Sequence, residues 1–148
     1  MIKEKVVCSK EELRALQRDS VVLDWHDRRK SRQKVKTRMG RVLCIALPRG
    51  TVLYDGDLLY KDEKMYIAVE AKSELQIVVV PANMEEAATV AYELGNRHLP
   101  LCILKDRIKT PLNKHVEELL KRYSIGYEIV EEPFEPFNSG AHHGHSHC

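Results

Sequence analysis

The chain has 148 residues, of which 43% are hydrophobic and 31% charged, and its formal net charge at pH 7 is +2. That length suits one ordinary domain or two very small ones. No stretch approaches the roughly 20 apolar residues that a membrane-spanning helix needs, and the first residues lack the hydrophobic core of a secretory signal. The four cysteines form no Cys-x-x-Cys pair, so we expect reduced thiols and a cytoplasmic protein without a membrane partner.

Charge is unevenly spread along the chain. Residues 1–75 carry 17 basic and 12 acidic side chains, a net charge of +5, whereas residues 76–148 carry 7 and 10, a net charge of −3. This asymmetry indicates two halves with different partners. The signatures of common enzymes, including the P-loop, Gly-x-Ser-x-Gly and His-Glu-x-x-His, are absent from the sequence, so we do not expect an enzyme.

The first half is predicted to be rich in β-structure. Ser9 with Glu12 three residues later has the spacing of a helix N-terminus, and the helix is expected to last one or two turns. Short apolar runs separated by turn sequences, such as Pro48-Arg49-Gly50 and Asp55-Gly56-Asp57, are typical of strands in a small β-rich domain. The predicted strands cover residues 2–8, 21–23, 42–47, 52–54, 58–60 and 65–71.

The second half is predicted to follow the order β-α-β-β-α-β. Asn83 with Glu86 marks the start of its first helix, and Gly95 is the residue expected just past the end of that helix. Thr110 and Pro111 fit the N-cap and first position of its second helix. The predicted strands cover residues 75–81, 99–104, 107–109 and 127–131. This order of elements is that of the ferredoxin-like fold.

The sequence therefore predicts an α+β protein with three parts. A β-rich N-terminal domain covers residues 1–74, and a ferredoxin-like C-terminal domain covers residues 75–133. Periodicity is lost after Pro133, so we expect residues 134–148 to form a disordered, His-rich tail.

The end of this tail concentrates metal-binding side chains. Imidazole is the commonest protein ligand for late first-row metal ions, and a thiolate adds a softer donor. A purification tag is the alternative interpretation, although the histidines are interrupted by glycine and serine and followed by a thiol. The candidate ligands are His142, His143, His145, His147 and Cys148.

His98 is the most prominent histidine outside the tail. It follows a predicted helix, whose C-terminal carbonyls favour a nearby positive charge, so one interpretation is a capping or core histidine. The other interpretation is a metal ligand. One imidazole cannot hold an ion alone, so further donors would come from the tail, from His115 or from a second copy of the chain across a two-fold axis.

Several short motifs are spread over both halves of the chain. The segment Gly95-Asn96-Arg97-His98 follows an Ala- and Tyr-rich helix, and the chain closes on a Pro/Phe-rich segment and a His-rich end. The N-terminal half contributes Thr-Arg-Met-Gly-Arg-Val at residues 37–42, Leu-Pro-Arg-Gly-Thr-Val-Leu at 47–53 and Asp-Gly-Asp-Leu-Leu at 55–59. In these motifs, which extend in order over nearly the whole chain, the sequence resembles the urease accessory protein UreE family of nickel metallochaperones.

The resemblance implies both an architecture and a function. The N-terminal domain would be of the peptide-binding type, and the ferredoxin-like domain would form a homodimer in which the two copies of His98 meet to bind nickel. Tail histidines would complete the ligand set, and dimers could pair into a tetramer around a shared ion. The partners implied are the urease apoprotein and urease accessory proteins, including the maturation GTPase. Imidazole sites also bind zinc and copper, so nickel is implied by the family alone.

Three further histidine and cysteine residues are interpreted separately. His115 lies near the start of the second predicted helix of this half, and an exposed helix histidine competes there with a metal ligand. Cys102 alternates with apolar neighbours and is interpreted as a core residue. Cys148 is expected to be exposed, where a thiolate would favour soft or borderline ions or cross-link two chains by oxidation.

A basic run in the first half has two interpretations. Trp25 precedes the run, but no aromatic residue lies within it, so nucleic-acid binding is not expected. A solvated edge hairpin is one interpretation, because charged side chains on an edge strand discourage aggregation. The other is a docking face for an acidic partner, formed by Arg28, Arg29, Lys30, Arg32, Lys34, Lys36 and Arg38.

The function predicted is that of a nickel metallochaperone that binds Ni(II) at a dimer interface and delivers it to urease during active-site assembly. The alternative is a small peptide- or nucleic-acid-binding adaptor whose metal-binding tail is incidental. A zinc enzyme is disfavoured, because catalytic zinc needs about three fixed ligands and an open position.

Overall fold

The computed structural model describes residues 1–136, and the chain divides into two compact units, Met1–Lys72 and a second unit that begins at Ser73. Both units combine strands and short helices, so the predicted α+β class is confirmed. None of the described helices is long and apolar enough to cross a membrane.

The first unit contains a three-stranded sheet and a two-stranded ribbon. Strand order in the sheet is β1-β5-β4, with β1 parallel and β4 antiparallel to the central β5, while β2 and β3 pair antiparallel. The elements are α1 (Lys10–Leu13), β1 (Gln17–Leu23), a 3-10 turn (Asp27–Arg29), β2 (Arg32–Lys36), β3 (Val42–Ala46), β4 (Leu58–Lys61) and β5 (Met65–Ala71).

Alternating apolar residues from the sheet and the ribbon form one core in this unit. Removing their side chains from water supplies most of the driving force for folding. The predicted capping residue Ser9 accepts a hydrogen bond from the Glu12 backbone N–H at 3.4 Å, as the spacing indicates. The buried core residues are Val21, Leu23, Ile45, Leu47, Leu53, Leu59, Met65, Ile67 and Val69.

Two predicted strands of this unit are absent from the structure. Residues 2–8 form only isolated bridges, from Ile2 to Ile45 and from Val6 to Leu58. Residues 52–54 are not a strand, because the backbone N–H of the fully buried Leu53 donates to the carbonyl of Arg28 at 2.9 Å rather than to a strand. Short apolar runs do not distinguish a strand from a buried loop.

Asp19 joins the tip of the β2–β3 ribbon to β1. Its buried carboxylate accepts hydrogen bonds from the backbone N–H of Ser20 at 2.8 Å and of Met39 at 3.2 Å, and from the Arg41 guanidinium at 2.8 Å. Burial alone would raise the pKa of Asp19, but hydrogen bonds from Thr37, Arg41 and the two backbone groups outweigh burial and hold it below its usual value. The ribbon tip is therefore fixed by one buried carboxylate.

A second, more exposed contact supports the same tip. The Arg38 guanidinium donates to both Glu70 oxygens, at 3.1 and 2.8 Å, and the Ser20 hydroxyl donates to Glu70 at 3.2 Å. Gly40 turns the chain between the two strands with a φ of +87°, a conformation that strains other residues. Together these contacts hold the ribbon tip against the sheet.

The second unit has the predicted ferredoxin-like topology. Its sheet has the order β7-β8-β6-β9 with all neighbours antiparallel, so the first and third strands of the βαββαβ unit lie at the centre. The elements are β6 (Ser73–Val79), α2 (Met84–Asn96), β7 (Cys102–Ile103), β8 (Ile108–Pro111), α3 (Lys114–Arg122) and β9 (Glu128–Pro133).

One apolar face from each helix forms the core of this unit with one face of the sheet. Asn83 caps α2 as predicted, since its side chain accepts from the Glu86 backbone N–H at 2.8 Å. Cys102 is buried in β7, as expected for a core residue, but it is disulfide-bonded, so the prediction of reduced thiols is wrong for this residue. The buried cluster comprises Ile77, Val79, Val90, Leu94, Ile108, Val116, Leu120 and Ile125.

The predicted start of the second helix in this unit is wrong. Thr110 and Pro111 belong to β8, where they pair with Ile77 and Gln76. The N-cap of α3 is Asn113, whose side chain accepts from the backbone N–H of His115 at 2.8 Å. Pairing with β6 therefore outweighed the local preference of Thr110 and Pro111 for the start of a helix.

We expect the Asp19 network to dominate the stability of the N-terminal unit. Asp19→Ala leaves buried donors unsatisfied and should lower the free energy of unfolding by about 2–3 kcal/mol. Urea unfolding followed by fluorescence of Trp25, the one tryptophan of the chain, measures this. The exposed Glu63→Ala variant is the control and should change stability by less than about 0.5 kcal/mol.

The pH dependence follows from the lowered pKa of Asp19. A carboxylate with a lowered pKa in the folded state stabilises the protein above its unfolded pKa and loses that contribution as pH falls through its folded pKa. The stability difference between native protein and Asp19→Asn should therefore persist at neutral pH and shrink only in acid, below the usual carboxyl value of 3.8. A constant difference through that acid range would contradict this role.

Candidate metal centre

The C-terminus of α2 ends in a tight turn that presents His98. The helix continues through Gly95 to Asn96, and the residue that leaves the helix in the left-handed conformation is His98, with a φ of +54°. The prediction that Gly95 would take this position is therefore wrong. Histidine is one of the few non-glycine residues enriched in this conformation, but the position still favours glycine.

Two backbone hydrogen bonds define the turn as a Schellman motif. The N–H of His98 donates to the Gly95 carbonyl at 3.0 Å, and the N–H of Leu99 donates to the Leu94 carbonyl at 3.1 Å. Leu94 is buried and Leu99 packs against the same core, which is the apolar contact that usually accompanies this motif. The backbone of His98 is thus fixed by the core.

The His98 side chain is exposed at this fixed position. Within the described part of the chain, no hydrogen bond or ion pair involves its imidazole, so the exposed ring has no competing contact. The capping interpretation is not supported by a side-chain contact. The imidazole is held by its backbone and is open to an external ligand.

A polar cluster in the last turn of α2, beside His98, includes Tyr123, the residue that follows α3. Arg97 donates to the Glu93 carboxylate and, at 3.0 Å, to the Glu93 carbonyl, while the Tyr123 hydroxyl donates to the same carboxylate at 2.9 Å. The Arg97 hydrogen bond, with that of Tyr123, lowers the pKa of Glu93, and the Glu93 carboxylate raises the pKa of Tyr123. The residue before His98 is therefore tied to α3.

The C-terminus of α3 repeats the geometry of α2. Ser124 has a φ of +56°, its N–H donates to the Lys121 carbonyl at 3.1 Å, and the N–H of Ile125 donates to the Leu120 carbonyl at 2.9 Å. Both helices thus end with a left-handed, non-glycine residue followed by a core residue. Of these two braced helix ends, only the one that follows α2 carries an imidazole.

His115 lies on α3 beside a surface depression of about 430 Å³. Its side chain is 85% exposed, and its Nδ1 lies 3.8 Å from a Glu118 oxygen. The depression is also lined by Arg97 and Leu99, the two neighbours of His98 in sequence. His115 thus shares a surface with the His98 corner.

The described residues do not complete a metal site by themselves. No group of three or more His, Cys, Asp or Glu side chains in residues 1–136 is placed to hold a metal ion. The other predicted ligands, His142, His143, His145, His147 and Cys148, lie outside the described residues. A site at His98 therefore needs donors from that segment or from another copy of the chain.

The structure divides the basic run of the N-terminal unit. Arg28 is 1% exposed and donates to the Leu53 carbonyl, so its place in a docking face is wrong, because a buried guanidinium cannot meet a partner. Arg29 is half-buried. The exposed members are Lys30, Arg32, Lys34, Lys36 and Arg38.

His98 was predicted from the sequence, but the neighbouring polar cluster of Glu93, Arg97 and Tyr123 was not. The spacing of Glu93 and Arg97, four residues apart on a helix, is a readable signal for an ion pair. Tyr123 lies 30 residues from Glu93, and nothing in the local sequence indicates that contact. It becomes visible only once the two helices are packed side by side.

The chain is thus an α+β protein of two units, and its ferredoxin-like unit presents an exposed histidine at the end of a helix. The family model described as UreE urease accessory protein, N-terminal domain, matches residues 4–72. The model for the C-terminal domain of the same family matches residues 74–148. The chain belongs to the UreE urease accessory protein family, as the sequence resemblance predicted.

Curated relatives named urease accessory protein UreE agree with this assignment. The relative from Albidiferax ferrireducens is 35% identical over 84% of this chain and 75% of its own length. The one from Lysinibacillus sphaericus is 32% identical over 99% of this chain and its full length. The relative from Paraburkholderia xenovorans is 34% identical over 86% of this chain, which spans only 57% of that protein.

We expect His98 to carry a measurable backbone strain. His98→Gly and His98→Ala both remove the imidazole, but only glycine adopts the left-handed conformation without strain, so the glycine variant should be more stable by about 1 kcal/mol. Urea unfolding followed by circular dichroism compares the two. Ser124→Gly and Ser124→Ala form the matched pair and should differ in the same direction. Equal stability of the two His98 variants would contradict the turn.

Proposed function

We propose that this protein is a nickel metallochaperone that binds Ni(II) between two copies of its C-terminal unit and delivers it during urease maturation. Membership of the UreE urease accessory protein family supports the urease role. The single structural observation that carries the metal role is the exposed His98 imidazole on a backbone fixed by the core.

A two-fold homodimer provides the simplest way to use this imidazole. Each described chain offers one fixed donor at the end of α2, and a two-fold axis near this corner doubles it to two. The C-terminal carbonyls of α2 add a partial negative charge that favours a bound cation. A two-imidazole anchor of this kind holds an ion without enclosing it.

Histidines of the C-terminal segment complete the ligand set in this proposal. His142, His143, His145 and His147 supply further imidazoles, and Cys148 supplies a softer donor. An ion held by two fixed and several exchangeable ligands can pass to a recipient by ligand exchange. Nickel is assigned from the family. Zinc and copper also suit these ligands, and copper generally binds such sites more tightly.

The recipients in this proposal are the urease apoprotein and its accessory proteins, including the maturation GTPase. The protein acts in the cytoplasm, where these partners assemble, and it needs neither a membrane nor a nucleic acid. His115 is an auxiliary ligand, since it lies beside the same depression as the neighbours of His98. Dimers paired through a shared ion would form a tetramer.

Nickel titration by calorimetry, with the oligomer mass measured in parallel, tests the proposal. The native protein should bind one ion tightly per two chains, and His98→Gly should lose this site by about 100-fold or more in affinity while keeping its fold. Deleting residues 142–148 should weaken the site without abolishing it. His26→Ala, which removes an exposed histidine from the other unit, is the matched control and should bind normally.

Two results would overturn the assignment. An unchanged tight site in His98→Gly would show that the imidazole at this corner is not a ligand. Binding that is lost only with residues 142–148, at one ion per single chain, would make the segment an independent site. His115→Ala tests whether His115 is only an auxiliary ligand. This variant should weaken nickel binding only a few-fold, or by about 1 kcal/mol.

The affinity should also depend on pH in a defined direction. Metal binding requires neutral imidazoles, so protonation competes with nickel. The affinity should fall as pH drops through about 6.5, where free histidines become charged. Titrations at pH 7.5 and 5.5 measure this, and a pH-independent affinity would exclude histidine ligands.

A further inference from the structure

The β2–β3 ribbon of the N-terminal unit has two faces of different chemistry. The inner face carries Val35, Leu43 and Ile45, which pack into the core. Successive side chains of a strand alternate between faces, so the intervening residues point outward. On this outer face, three basic residues of β2 (the basic stripe) lie directly opposite three small, mainly apolar residues of β3. The outward pairs are Arg32 with Ala46, Lys34 with Cys44 and Lys36 with Val42.

The basic stripe differs from the rest of the basic run in having no neutralising partner. Lys30 is paired with Asp27 at 2.6 Å, and Arg38 with Glu70 at 2.8 Å. Among residues 1–136, no ion pair involves Arg32, Lys34 or Lys36. Three like charges at every second position of one strand repel one another. Their arrangement therefore favours an acidic partner.

The neighbouring edge of β3 is open at one end. Ile2 occupies the other end, where its N–H donates to the Cys44 carbonyl and its carbonyl accepts from the Ala46 N–H, both at 2.7 Å. Even-numbered residues of β3 therefore direct their backbone groups away from β2. By the same alternation, the N–H and carbonyl of Val42 and the N–H of Cys44 point outward, and no hydrogen bond to them is formed by the described residues.

A groove of about 580 Å³ lies beside this open edge, a size within the range of about 300–1,000 Å³ found for ligand clefts. Its floor is apolar and belongs to the core of the unit, with Leu43, Met65 and Ile67. The remaining lining residues are Arg41, Val42, Tyr60, Asp62 and Lys64. The groove can therefore accept an apolar side chain next to unpaired backbone groups.

We propose that an extended, acidic segment of a partner protein adds to β3 as a further strand at Val42. Main-chain hydrogen bonds to an open edge supply affinity in this mode, and alternate side chains supply specificity. Acidic side chains on the outer face of the added strand meet Lys34 and Lys36, whose long, exposed side chains are able to reach past the smaller Cys44 and Val42 opposite them. Apolar side chains on its inner face enter the groove. The segment recognised thus alternates acidic and apolar residues.

This inference goes beyond the metal site and does not depend on it. All the residues involved belong to the N-terminal unit, and the binding test contains a chelator and no nickel. Failure of the test would leave the His98 proposal intact, and failure of the nickel titration would leave this one intact.

A designed peptide tests the surface directly. The probe is a fluorescein-labelled heptapeptide, Glu-Val-Glu-Val-Glu-Val-Glu, and its anisotropy is followed as full-length protein is added. We expect saturable binding with a Kd below about 1 mM. The same peptide with lysine in place of glutamate should not bind. No saturable binding of the acidic peptide, or equal binding of the basic one, overturns the proposal.

Two matched double variants distinguish peptide binding at the basic stripe from general electrostatic attraction to the protein. Lys34→Glu with Lys36→Glu should weaken binding by about tenfold or more, since two attractive contacts become repulsive. Lys10→Glu with Arg14→Glu changes the net charge equally at exposed positions of the same unit and should stay within about twofold. Equal losses in the two double variants would mean non-specific attraction and overturn the proposal.

A proline variant tests the backbone contact. Val42→Pro removes an outward N–H and takes no hydrogen bond from the β2–β3 pairing, as suits proline on an edge strand. It should weaken peptide binding by about fivefold, the value of one hydrogen bond, with an unchanged circular dichroism spectrum. Should this variant fail to fold, slower alkylation of the exposed Cys44 in the presence of the peptide, with Cys8 as internal reference, reports the same contact.

Other occupants of this face give different results. A labelled single-stranded oligonucleotide that binds, and is lost in the Lys34 and Lys36 variant while the acidic peptide stays free, would assign the face to nucleic acid. A concentration-dependent dimer that is abolished by Val42→Pro, without peptide binding, would assign it to a second copy of the chain. Either result overturns the proposal.

Discussion

The backbone turn that ends α2 determines where the candidate metal ligand stands. Its two hydrogen bonds close only if the residue after Arg97 adopts the left-handed conformation, and Leu99 then returns to the core beside Leu94. A side chain on that residue has to leave the helix end and enter solvent. Glycine would fit with less strain, yet the chain has His98 there. Ser124 has the same conformation after α3, so the turn alone does not mark a functional site, and the imidazole is what distinguishes His98.

In the proposed function, a fixed imidazole and exchangeable ligands come from different parts of the chain. The His98 backbone is held by the core, and the preceding Arg97 is tied through Glu93 to Tyr123 on the neighbouring helix. The described residues supply one fixed donor for each chain and no complete site. A carrier that must release its ion benefits from this division, because a fully enclosed site would retain the metal. The N-terminal unit contributes a separate surface, whose ribbon tip is fixed by Asp19.

Much of this structure could be predicted from the sequence, and the predictions that were wrong failed for physical reasons. Alternation and capping signals located most strands and the starts of α1 and α2, because those features depend on neighbouring residues. Thr110 and Pro111 were misassigned because pairing with β6 outweighed their local preference. Gly95 was misassigned because the turn follows the core contact of Leu99 rather than the nearest glycine. The burial of Arg28 and the contact of Tyr123 with Glu93 depend on packing between distant segments, which local patterns do not encode.

Whether His98 is a nickel ligand is tested most directly by the nickel K-edge X-ray absorption spectrum of protein loaded with one ion per two chains. We expect the number of imidazole ligands in the native spectrum to fall by about two in His98→Gly, one from each chain of the dimer. The glycine variant keeps the turn, so this loss reports the ligand and not the fold. An unchanged imidazole count would show that the left-handed His98 has no role in metal binding.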